Sequence, residues 1–104
     1  MFNNSFLKKL NILFIESNTE DREHFSNILY KFFNNVVVCS NGKDGIDNFL
    51  EKRQEYFVDI IICDKTLEDI TGIEVLKKIR EIDSEIPFII TSPKIEVDDL
   101  LIAI

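Results

Sequence analysis

The chain of 104 residues sets 19 Asp and Glu against 12 Lys and Arg, for a net charge of −7, and 45% of its residues are hydrophobic. That apolar share is enough for one buried core, so a single domain spanning residues 1–104 is predicted. The acidic balance disfavours nonspecific attraction to nucleic acid or to an anionic membrane and suits a partner or ligand that brings positive charge.

In chain order, residues 1–10 break their apolar positions with Asn, Ser and Lys, unlike a signal peptide, and no later run has the length of a membrane span. A soluble, cytoplasmic protein is predicted. Residues 12–15 form the first short apolar run, followed by Phe25, Ile28, Leu29 and Phe32 at helical spacing. Asn18 or Thr19 stands where an N-cap is needed. His24 falls in this helix beside Glu23, and a solvated side chain is expected there rather than a metal ligand or a kinase histidine.

Residues 36–39 form the second run, and Asn41 and Gly42 mark the turn after it. Ile46, Phe49 and Leu50 give a shorter helical stripe, and the charges of residues 51–55 suit a wet helix face. Residues 60–63 form the third run, followed by a stripe of Ile73, Leu76 and Ile79. Pro87 opens the fourth run, residues 88–91, and Val97, Leu100, Leu101 and Ile104 begin a fourth helix. Runs rich in β-branched residues and lacking polar alternation suit strands covered on both faces. Strands alternating with helices over short connections imply right-handed crossovers, and hence a doubly wound α/β fold with a parallel sheet. Cys39 and Cys63 sit inside apolar runs without CxxC spacing, as buried reduced thiols rather than zinc ligands or a disulfide.

Ligands of open parallel sheets bind beyond the carboxyl ends of the strands. The first run ends in Glu16 and Ser17, the third in Asp64, the fourth in Thr91 and Ser92. If the first and third strands are neighbours, Glu16 and Asp64 share a crevice that a hydroxyl of the fourth strand closes. Paired carboxylates repel one another unless a cation lies between them, and magnesium is the hard oxygen-seeking ion suited to that place. Glu16 can also be read as an acid favouring a helix N-terminus. Ser17 serves equally as a cap or a weak ligand, and Thr91 and Ser92 as caps or as part of the pocket.

The segment DIIICDKTLEDITGIEVLKKIR, residues 59–80, resembles the centre of response-regulator receiver domains, with an aspartate closing the third strand and a glycine opening the next helix, here Asp64 and Gly72. ILFIESN resembles the family's first strand with its acidic pair, and IPFIITSP its fourth strand with the switch hydroxyl. The resemblance implies a flavodoxin-like, CheY-like sheet in the order 2-1-3-4, lacking the fifth strand and last helix within this chain. It further implies that Asp64 takes a phosphoryl group from a histidine kinase or phosphotransfer protein. Glu16, Asp64, the carbonyl of Thr66 and, weakly, Ser17 would hold magnesium, with Ser92 or, one register back, Thr91 as the switch hydroxyl. Such a module is a phosphoryl acceptor rather than a turnover enzyme, and it acts on an output domain or a downstream protein.

Departures from the family accompany the matches. Ser17 replaces the second acid, so metal affinity should fall; Glu68 stands where proline is common, and Pro93 where a small residue is preferred. The fifth strand, which carries the family's lysine, is missing, and Lys65, Lys94 or a partner's side chain would have to substitute. A pseudo-receiver that binds partners without phosphorylation is therefore the alternative. A metal-dependent phosphatase fits worse, because Thr66 occupies the place of the second catalytic aspartate. An uncovered fourth strand is expected to pair with a second copy or to leave the following helix loosely held.

Overall fold

The computed structural model describes residues 4–53 and 57–92. The predicted strands form where the apolar runs stand: β1 (Asn11–Ile15), β2 (Asn35–Cys39), β3 (Ile60–Asp64) and β4 (Phe88–Thr91). All pair in parallel in the order β2-β1-β3-β4. Ile12 lies between Val36 and Ile60, and Asp64 lies opposite Thr91. The order 2-1-3-4 read from the family resemblance is therefore the observed one. The expected helix of Val97, Leu100, Leu101 and Ile104, with Pro93 and Lys94, lies outside the described residues.

Among the described residues, four helices accompany the strands: α1 (Asn4–Leu7), α2 (Thr19–Phe32), α3 (Gly42–Lys52) and α4 (Gly72–Ile82). Three of them start at side-chain caps that satisfy otherwise unpaired N–H groups. Asn18 Oδ1 accepts from the Asp21 N–H and Asn41 Oδ1 from the Asp44 N–H, each at 2.8 Å. Thr71 and Glu74 form a reciprocal capping box at α4, at 3.1 and 3.0 Å. Of the two predicted caps for α2, Asn18 does the work. The short α1 has no apolar period to announce it, and Lys8 just beyond it donates through Nζ to the Lys31 carbonyl near the end of α2.

The chain turns outward from β1 to β2 and then crosses back over β1 to β3 and β4, which puts α3 and α4 together on one face and α2 on the other. Side chains alternate between these faces. Leu13, Ile15, Ile61 and Cys63 pack with Phe49 of α3 and with Val75 and Ile79 of α4 into the main core. Ile15, Ile61, Val75 and Ile79 are completely buried there, each contributing about 2 kcal/mol by removal from water. Helix α3 lies so close to β1 that a Cβ at Gly45 would come within 2.3 Å of Ile15 Cδ1.

The opposite face is more open. Of the stripe Phe25, Ile28, Leu29 and Phe32, Phe25, Ile28 and Phe32 are 46%, 39% and 39% exposed, and the buried residue of α2 is Ser26. Among the described residues α2 alone covers this side of a four-stranded sheet. A groove of about 250 Å3 remains between Phe25, Ile28 and Leu29 of α2 and Phe14 and Ile62 of the sheet. His24 is exposed, as expected, with its ring edge-on to Phe25 at 5.1 Å.

Both cysteines are free and buried, as expected. Burial, reinforced by Asp44, pushes the Cys39 thiol up to about 11; burial, reinforced by Asp64 and Glu16, pushes Cys63 up to about 12. Because the thiolate is the reactive species, Ellman's reagent at neutral pH should label both thiols only after denaturant is added. Rapid labelling in native buffer would contradict this packing.

Candidate acidic site at the strand ends

Glu16 and Asp64 follow or close the two central strands, so both carboxylates leave the sheet at its C-terminal edge. They are only 5% and 4% exposed. The Glu16 N–H donates to the Cys39 carbonyl at 3.0 Å, and its Oε2 accepts from the Asn18 N–H at 3.1 Å. The two carboxyl groups lie close enough for each to shift the proton affinity of the other. β1 and β3 are neighbours, as the strand order requires, so the two carboxylates stand at the same edge of the sheet.

Both acids hold their protons more tightly than usual. For Glu16 the main cause is burial, aided by the charges of Asp64 and Asp21 and opposed by the Asn18 N–H. For Asp64 it is again burial, opposed by the N–H groups of Lys65 and Thr66 and by the Glu16 carboxyl. One oxygen, Asp64 Oδ1, is buried with no hydrogen-bond partner. A buried carboxylate oxygen left without a donor is costly, and a cation between the acids would remove both the orphan and the repulsion. The donor set therefore fits a hard divalent ion that keeps several waters. Among the described residues, no group of three or more His, Cys, Asp and Glu gathers at one point. The protein's share of such a site is two carboxylates and neutral oxygens.

The raised values carry a sign for stability. A group that binds its proton more tightly when folded contributes stability that is complete below its unfolded value and is lost as pH rises through its folded value. In EDTA the urea midpoint should therefore fall as pH increases from the ordinary carboxylate values of 3.8 and 4.5 towards neutrality. Magnesium should reduce that fall. Asp69 and Asp83 are shifted down and act the other way, losing their contribution only below 3.8. A midpoint climbing steadily to neutrality would contradict the paired acids.

The remaining predicted residues surround the pair. Thr91 is half-buried, and its carbonyl accepts from the Lys65 N–H at 2.8 Å; Thr91 and the exposed Ser92 both line the groove with Glu16 and Asp21. Thr66 is exposed and pairs with Thr71 in an isolated bridge, while the Gly72 N–H returns to the Lys65 carbonyl at 2.9 Å. The loop between β3 and α4 is thereby closed on itself without a proline at 68. Ser17 Oγ donates to the Ser40 carbonyl at 2.7 Å and accepts from the Glu68 N–H at 3.0 Å.

Two residues of the site escaped the sequence reading. Arg22 Nη1 donates to the carbonyls of Glu16 and Ser17, both at 3.0 Å, and so fixes the turn after β1. Asp69 accepts from the N–H groups of Gly42 and Lys43 at 2.8 and 2.9 Å, at the start of α3. Arg22 carried a faint signal, a basic residue where acids are favoured in a first helical turn. Asp69 carried none, because its partners lie far away in sequence.

The family model for the response regulator receiver domain matches residues 12–104. Sensory transduction protein LytT of Oceanobacillus iheyensis is 35% identical over 72 residues, covering 69% of this chain and 28% of that protein, so the chain spans less than a third of this relative. The CheX-CheY-BeF3-Mg+2 complex from Borrelia burgdorferi gives a TM-score of 0.76 at 22% identity, over 97% of this chain and 77% of that one. The receiver domain of the response regulator Ssk1, co-crystallised with the histidine phosphotransfer signaling protein Ypd1 of Saccharomyces cerevisiae, belongs to a structure giving 0.66 at 23% identity, over 83% and 63%.

Proposed function

The chain belongs to the response regulator receiver domain family, and from that premise we propose that Asp64 accepts a phosphoryl group from a phosphohistidine in two-component signalling. Receiver domains are signalling modules rather than turnover enzymes, bind magnesium in an acidic pocket and meet histidine kinases or phosphotransfer proteins. The observation that carries the reading is the buried Asp64 carboxylate at the end of an interior strand, beside Glu16 and keeping Oδ1 without a partner.

In the transfer, an Asp64 oxygen forms a bond to phosphorus as the phosphorus–nitrogen bond of the donor histidine breaks, and the electron pair leaves on the imidazole nitrogen. The Asp64 and Glu16 carboxylates and the Thr66 carbonyl would hold magnesium, which when bound would supply charge that offsets the phosphoryl oxygens. Glu16 orients Asp64, Arg22 holds the turn that carries Glu16, and Ser92 or Thr91 supplies the hydroxyl that hydrogen-bonds the transferred group. A sensor kinase or phosphotransfer protein upstream and an output domain or protein downstream complete the proposal.

The test is labelling of the protein by acetyl phosphate. Labelling should require magnesium and disappear in EDTA; its absence at saturating magnesium and phosphodonor would overturn the proposal. A second reading, a pseudo-receiver that binds partners without phosphorylation, is favoured by the engaged Ser17 hydroxyl and the pair of acids in place of a triad. Partner binding that is equal in wild type and Asp64→Asn would support that reading.

A further inference from the structure

Three loops meet at the C-terminal edge of the sheet, after β1, β2 and β3, and the acid pair lies beneath them. Ser17 belongs to the first, and its hydroxyl reaches the other two. The donated hydrogen goes to the Ser40 carbonyl after β2, and a lone pair takes the Glu68 N–H after β3. The next residue, Asp69, anchors the same loop a second time, with both carboxylate oxygens on the first N–H groups of α3. Adjacent residues of the β3–α4 loop are therefore tied to different neighbours.

We infer that Ser17 is a positioning residue rather than a metal ligand: its hydroxyl staples the three loops and, together with Asp69, presets the loop that presents Asp64 and the Thr66 carbonyl before any cation binds. The role requires a hydroxyl. A carboxylate at position 17 could accept from the Glu68 N–H but has no hydrogen for the Ser40 carbonyl, and would set an anion against that oxygen. A methyl group satisfies neither partner. The staple also accounts for how a loop with glutamate at 68 stays closed without proline. Its consequence for phosphorylation rests on the acceptor role proposed for Asp64; the staple itself does not.

The test combines two readouts on the full chain. In EDTA, Ser17→Ala should speed hydrogen exchange at the Glu68 amide by about tenfold or more, while the amides of Leu13 and Ile61 in the sheet stay at wild-type rates. Ser17→Thr, which keeps the hydroxyl, should restore protection. With acetyl phosphate, Ser17→Ala should lower the maximal labelling rate at saturating magnesium while the half-saturating magnesium concentration stays near wild type; Ser17→Thr should recover the rate. Should Ser17→Ala fail to fold, Asp69→Asn at the exposed second anchor should speed exchange at Gly42 or Lys43 and slow labelling in the same way. Wild-type exchange at Glu68 in Ser17→Ala, or at both Gly42 and Lys43 in Asp69→Asn, would overturn the inference. So would an unchanged maximal rate with a large rise in the magnesium requirement, which would make Ser17 a ligand. Absence of labelling in wild type would remove the acceptor reading alone, since exchange still decides the staple.

Discussion

Asp64→Asn is expected to abolish magnesium-dependent labelling by acetyl phosphate and, in the same molecule, to make the metal-free fold more stable. The first effect is chemical, because a carboxamide does not form the acyl phosphate. The second comes from the carboxyl pair. Glu16 and Asp64 are both buried, both have raised proton affinity through burial, and Asp64 Oδ1 faces no donor. Asparagine keeps the volume, removes one of the two charges and offers an N–H to Glu16. A gain of about 0.5–2 kcal/mol in EDTA follows, the range common for single stabilising substitutions, here at a site where function costs stability.

The two signs together discriminate. Loss of labelling with lower stability would mean that residue 64 was needed chiefly to fold. Loss of labelling with higher stability identifies a group kept for chemistry at a cost to the fold. Magnesium adds a further check, since it should raise the urea midpoint of wild type and do little for the variant. Equal stabilisation of both would place the cation away from Asp64.

The sequence exposed the sheet well because parallel strands covered on both sides read as unbroken β-branched runs, and Asp64 interrupts the third of these. A carboxylate at that position has few places to go but the strand-end crevice. The orientation of α2 was harder to read. Spacing shows that Phe25, Ile28, Leu29 and Phe32 share a helix face, but not how much surface awaits that face, and here part of it borders an open groove. Ser17, Asp69 and Arg22 act on main-chain atoms of residues brought near by folding, and a bond to a backbone N–H or carbonyl leaves no mark on the partner's side chain. Thr71 and Glu74, beside Gly72, carry the capping-box spacing that opens α4.

Gly72 carries the other large effect. It is buried at the first turn of α4, and a Cβ there would lie 2.5 Å from the Asp64 carbonyl oxygen and 3.1 Å from Lys65 Cα. These are main-chain atoms next to the acceptor, and no side-chain rotation relieves them. Gly72→Ala would gain at most about 1 kcal/mol in helix propensity, against roughly 1–3 kcal/mol or more for overpacking, so net destabilisation is expected. Gly45→Ala is the instructive contrast, since its Cβ would press on the Ile15 side chain inside the core. It too should destabilise by roughly 1–3 kcal/mol. The difference should appear in labelling per folded molecule. Gly72→Ala pushes on the peptide that carries Asp64, and a displacement approaching 1 Å can cost on the order of a hundredfold in a positioned reaction. Gly45→Ala should lose far less. Both proteins can be held folded at low temperature while labelling rates are compared, with circular dichroism reporting the folded fraction. Equal rates in the two variants would mean that the close approach of α4 to β3 packs the fold without setting the acceptor's position.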